Sequence, residues 1–77
     1  MSQKPRFPGI RVTANGNQLT WTSTGATSYA VYKENGGLVA TVRGTAWRAD
    51  RPGSYCVAGL DRTGNQGPVS PPASILK

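Results

Sequence analysis

Pro52-Gly53-Ser54-Tyr55-Cys56-Val57-Ala58-Gly59-Leu60-Asp61-Arg62-Thr63-Gly64-Asn65-Gln66-Gly67-Pro68-Val69-Ser70 is the stretch that decides the fold. A proline-glycine corner opens it. A strand follows in which Tyr55 and Val57 share one face, while Cys56 and Ala58 share the other, because successive side chains of a strand point to opposite sides. Asp61 ends that strand, a tight loop closes on Gly64-Asn65, and a strand punctuated by proline returns. A two-stranded ribbon of this kind buries too little apolar surface to stand alone in water. The remaining residues must give it a second face.

Working outward, Ile10 to Ala14 reads as a first strand entered through Pro8-Gly9, with Ile10 and Val12 on one side. Asn15-Gly16 is the preferred pair for a two-residue hairpin turn. Asn17 to Ser23 follows, with Leu19 and Trp21 dry and Gln18, Thr20 and Thr22 wet. After a turn at Thr24-Gly25-Ala26 comes Ser28 to Glu34, with Tyr29 and Val31 on one face and Ala30 and Tyr32 on the other. Asn35-Gly36-Gly37 is a second hairpin signal. Leu38 to Arg43 is a fourth strand with Leu38, Ala40 and Val42 in one register, and Thr45 to Ala49 a fifth, centred on Trp47. Ser54 to Leu60 is the sixth, and a seventh runs from Pro68 to Leu76. Pro68, Pro71 and Pro72 lack ladder donors, which places that strand at an edge or shortens it. No segment carries a helical period. Seven short strands between turn signals imply an antiparallel sandwich or a small barrel.

The totals suit one small domain. The chain has 77 residues, with ten glycines and six prolines that serve many turns. Residues 1–7 read as a polar lead-in and 8–77 as the domain. At this size roughly 60% of the unfolded surface is hidden and a net stability of about 5 kcal/mol is expected. Nine Lys and Arg stand against three Asp and Glu, for a net charge of +6. The cations are scattered singly, which is the pattern of a solvated basic surface. Cys56 is the single cysteine, so no internal disulfide forms. No apolar run approaches the roughly 20 residues of a membrane span, and no export signal follows Met1.

Three motifs together resemble the fibronectin type III family. Leu19-Thr20-Trp21 looks like the family's second-strand pattern with its inward tryptophan. Ser28-Tyr29-Ala30-Val31-Tyr32-Lys33 is similar to the third strand of bacterial members. Pro52 to Val57, with Leu60-Asp61 and Gly64-Asn65, looks like the sixth strand and its loop. The resemblance spans roughly Pro8 to Ile75. It implies a seven-stranded, antiparallel, immunoglobulin-like β-sandwich, with strands one, two and five facing three, four, six and seven. It also implies that the Tyr55 hydroxyl bonds to backbone just upstream, as a tyrosine corner. Asp50 stands where the family has a leucine, so Trp47 or Ala49 must cover that end of the core. No Arg-Gly-Asp tripeptide is present. Bacterial members commonly sit beside carbohydrate-active domains in secreted or surface enzymes, which implies an extracellular or cell-surface setting within a longer protein.

The chemistry-bearing residues are few. The chain has no histidine, the commonest general base and metal ligand. Glu34, Asp50 and Asp61 border turns, where a carboxylate bonds the local backbone, and do not form a glycosidase pair. Cys56 has no base partner to make it a nucleophile. No enzyme activity, metal site or cofactor is expected. Trp21 belongs to the core. Trp47 either packs under one end of the molecule or stands exposed as a stacking platform. Tyr32 faces outward, and with Arg43 or Arg62 it could hold a polymer by stacking and charge. The expected function is a non-catalytic spacer or protein-interaction module, a monomer partnered by neighbouring domains of its own polypeptide. The alternative is a carbohydrate-binding module using Trp47 or Tyr32. A nucleic-acid binder ranks below both, because aromatic residues are not interleaved with the cations.

Overall fold

The computed structural model describes residues 10–34 and 36–76. The lead-in, the Pro8-Gly9 opening, Asn35 and Lys77 lie outside the described residues. All regular structure within them is strand: β1 Val12–Asn15, β2 Gln18–Trp21, β3 Ser28–Lys33, β4 Leu38–Val42, β5 Ala46–Arg48, β6 Gly53–Leu60, β7 Gln66–Val69 and β8 Ala73–Ile75. They form two antiparallel sheets. One has the order β1-β2-β5, and the other runs β4-β3-β6-β7 with β8 also paired to β6.

Eight strands replace the expected seven, because the last one is broken. Pro71 and Pro72 cannot donate to a ladder, so pairing stops at Val69 and resumes at Ala73. The two halves pair with different parts of β6: Val69 lies opposite Ala58, and Ala73 to Ile75 lie opposite Tyr55 to Gly53. Ser70 bridges the gap. Its backbone N–H donates to the Val57 carbonyl at 2.8 Å, and its Oγ accepts the Val57 N–H at 2.8 Å. A side chain thus supplies the ladder bond that proline removes.

The first hairpin also differs by one residue. Asn15 pairs with Gln18, so the loop is Gly16-Asn17 and not Asn15-Gly16. Gly16 takes φ +64°, and no described non-glycine residue has positive φ. Only one loop position then needs the left-handed region, and glycine fills it without steric cost.

The dry faces lie where the alternation puts them. Leu19 and Trp21 from the smaller sheet join Tyr29, Val31, Tyr55, Val57 and Ile75 from the larger in one buried cluster, closed by Ile10 and Ala49. The Trp21 indole meets the Tyr29 ring edge-on, with centroids 5.5 Å apart. Such pairs add to the burial of two large rings. The Asp50 end of the core is covered by both candidates: Ala49 is buried and Trp47 packs against the cluster.

The fourth strand does not keep one register. Val31 lies opposite Ala40, but Tyr32 lies opposite Leu38, with a shift between them. Val39 is the extra residue, and a bulge of this kind sends the residues on its two sides to different faces. Ala40 and Val42 turn to the core, whereas Leu38 stays exposed.

Candidate functional site at the open edges of the sheets

β5 ends one side of the smaller sheet and β4 one side of the larger. Between them lies a concavity of about 480 Å³. Trp47 of β5 and Tyr55 of β6 form its aromatic wall, with ring centroids 5.1 Å apart and planes inclined at 64°. Val39, pushed out by the bulge, adds an aliphatic wall. Lys33, Arg48 and Arg51 bring three cations to the rim, against the single carboxylate of Asp50.

Local structure sets each of these. Lys33 lies on the same side of β3 as Tyr29 and Val31 and pairs with Tyr55, so its stem runs beside the Tyr55 ring. The Tyr55 hydroxyl donates to the Arg51 carbonyl at 2.7 Å. That bond ties the Asp50 to Pro52 turn to the start of β6 and holds Arg51 beside the groove. Trp47 is held by the pairing of Leu19 with Trp47 across β2 and β5. It is half-buried, one face on the core and one toward the groove, which joins the two alternatives the sequence left open.

The other residues singled out in the sequence lie elsewhere. Tyr32 is on the outer face of the larger sheet, paired with Cys56, and its hydroxyl donates to Gln66 Oε1 on β7. A shallow second concavity there is lined by Tyr32, Cys56, Glu34 and Val69 among others. Arg43 follows β4 directly and Arg62 sits in the β6–β7 loop, and both are exposed. By register both belong to the Ser28 end of β3, whereas the groove is at its Lys33 end. Five residue steps along the strand separate the ends by about 16 Å. The structure therefore brings Trp47 together with Lys33, Arg48 and Arg51, and not with Arg43 or Arg62. Sequence reading missed these three cations: Lys33 reaches Trp47 only through contact between the two sheets, and nothing local marks Arg48 and Arg51 as facing a groove. The signal available was narrow: Arg48 adjoins Trp47, and Arg51 precedes the Pro52 corner.

Outside the groove, the Asp61 carboxylate organises its own loop. Asp61 Oδ1 accepts the Thr63 Oγ1–H at 2.7 Å and the backbone N–H groups of Thr63 and Asn65, each at 2.9 Å. The Thr63 hydroxyl, with the two amides, holds this carboxyl below its ordinary range. Gly64, at φ +89°, lets the loop turn back so that Asn65 reaches the carboxylate. Burial raises the Cys56 thiol, and the Glu34 carboxylate raises it further. The thiolate is thereby disfavoured at neutral pH. Among the described residues no three His, Cys, Asp or Glu side chains cluster as metal ligands. No helix among them is long and apolar enough to cross a membrane. Set beside known proteins, the chain finds no match among protein-family models, curated proteins or solved structures.

Proposed function

We propose that this chain is a fibronectin type III-like β-sandwich module, a non-catalytic spacer and protein-interaction domain of a larger secreted or cell-surface protein such as a bacterial glycoside hydrolase. The observation that carries the reading is the Tyr55 to Arg51 bond at 2.7 Å, made four residues upstream at the entry to β6. It is the bond the resemblance implies for that tyrosine. The allocation of strands agrees: β1, β2 and β5 form one sheet, while β3, β4 and β6 with the divided final strand form the other. Two small sheets locked at a corner make a rigid spacer, and their chemistry lies on outer surfaces and edges. The test is the size of the native polypeptide, read by immunoblot with antibodies raised against residues 8–77. A band far above 8.1 kDa is expected, and a native product of that mass overturns the reading.

A second reading is carbohydrate binding, favoured by the half-exposed Trp47 beside Tyr55 at the groove. Titration with chitin, xylan, cellulose and peptidoglycan fragments, followed by tryptophan fluorescence, tests it. A flat response to all four removes it.

A further inference from the structure

The edges of the two sheets are not alike. β1 lies against β8 across the sheets. β5 has only three residues. The β7–β8 side is interrupted by Pro68, Pro71 and Pro72, which cannot donate. β4 alone has five residues with neither proline nor charge, Leu38-Val39-Ala40-Thr41-Val42. Every second residue of an edge strand turns its N–H and C=O away from its own sheet. Short strands, charges, prolines and bulges are the usual guards against foreign pairing at such an edge; β4 carries only the last of these, at Val39, and Ala40 to Val42 beyond it keep a regular register. Its first two residues are also exposed apolar groups, Leu38 at 56% and Val39 at 46%.

This edge, free of charge and proline, borders the cationic aromatic groove. Val39 belongs to both, and Lys33, Arg48 and Arg51 lie on the groove's rim. We infer that β4 is a docking edge for an extended acidic peptide, which adds as a further strand and seats one apolar side chain against Trp47 and Tyr55. Backbone hydrogen bonds supply affinity in this mode, and pockets for alternate side chains supply choice. Charge selects among occupants. A second copy of this chain carries the same surplus of +6 and is repelled, whereas carboxylates are drawn to the rim. The inference rests on reading the chain as an interaction module and adds the chemistry of the partner. The two fail on different measurements, since native mass does not bear on peptide binding.

The test is an amide-shift titration of the folded domain with a synthetic decapeptide that alternates glutamate and valine around a central phenylalanine, up to about 1 mM. Shifts confined to Leu38–Val42 and the Trp47 indole N–H are expected, with exchange of β4 amides slowed. Affinity should fall steeply as salt rises from about 10 mM to about 300 mM. Arg48→Glu, at an exposed position, should weaken it about fivefold. The same peptide N-methylated at alternate residues should lose binding, because it cannot form the ladder. Equal binding of the methylated peptide overturns strand addition. So does silence of β4 at the highest peptide concentration, or concentration-dependent shifts of β4 without peptide, which would signal self-pairing. Binding of an acidic polysaccharide such as polygalacturonate to the groove, with the peptide inert, would assign the groove to a glycan instead.

Discussion

Tyr55 ties three levels of the structure together through one hydroxyl. Its ring is part of the buried cluster, its edge meets Trp47, and its Oη closes the turn before β6. Tyr55→Phe keeps the ring and deletes the bond, so it should cost about 1 kcal/mol. For a domain of this size that lowers Tm by roughly 4–8 °C. The denaturant slope should stay unchanged, because the surface exposed on unfolding is the same. A loss below the error of the melt would show that Arg51 finds another donor at no cost. Asp61 gives a different residue-scale expectation. Its folded-state pKa lies below the unfolded value, chiefly through the Thr63 hydroxyl. The stability it contributes is therefore complete above the unfolded pKa and is lost as pH falls through the folded one. Asp61→Asn should flatten that acidic limb while leaving the neutral region less stable than wild type. Denaturant midpoints from pH 7 to about pH 2 read it directly, and an unchanged acid limb in Asp61→Asn would count against this carboxylate as the cause.

At the scale of the element, the decisive feature is the broken last strand. β6 is the spine of the larger sheet, paired with β3 on one side and with β7 and β8 on the other. The proline pair would leave the Val57 N–H facing a gap, and Ser70 fills it. Val57 is wholly buried and Ser70 nearly so. Ser70→Ala thus strands a buried donor, which should cost about 1–3 kcal/mol. Ser70→Thr keeps the hydroxyl and should recover part of that loss if the added methyl fits. Urea unfolding of the two variants separates the hydrogen bond from the volume, and an alanine variant as stable as wild type would deny Ser70 this role. β4 shows what alternation alone cannot deliver. Its pattern suggests Leu38, Ala40 and Val42 on one face, but a single extra residue moves Leu38 to the other. A bulge is a property of two strands together, so neither strand's sequence announces it.

For the molecule as a whole, charge is the dominant long-range term. Nine cations against three anions on a chain this small repel one another in the compact state. Screening should relieve that repulsion, so Tm is expected to rise as sodium chloride goes from about 10 mM to about 200 mM. A fall over that range would mean that attractive pairs, and not the surplus, govern stability. The same surplus explains why the open β4 edge need not lead to self-association: two copies approaching by that edge bring their cationic rims together.

The periodicity of two, the turn residues and the absence of any helical pattern determined by themselves that the regular structure of the described residues is strand, and they marked Leu19, Trp21, Tyr29, Val31, Tyr55 and Val57 as the interior. These are local properties, since alternation and turn chemistry act over a few residues. The Tyr55 to Arg51 bond spans four residues and is likewise local. The groove belonged to the tertiary structure alone. Arg48 and Arg51 lie within four residues of Trp47 along the chain, but Lys33, Val39 and Tyr55 of the larger sheet join them only because the two sheets pack together. Arg43 and Arg62 are just as basic, yet register carries them to the far end of the larger sheet. That Lys33 joins Trp47, and that Arg43 and Arg62 do not, is set by contacts distant along the chain, and no local pattern encodes those.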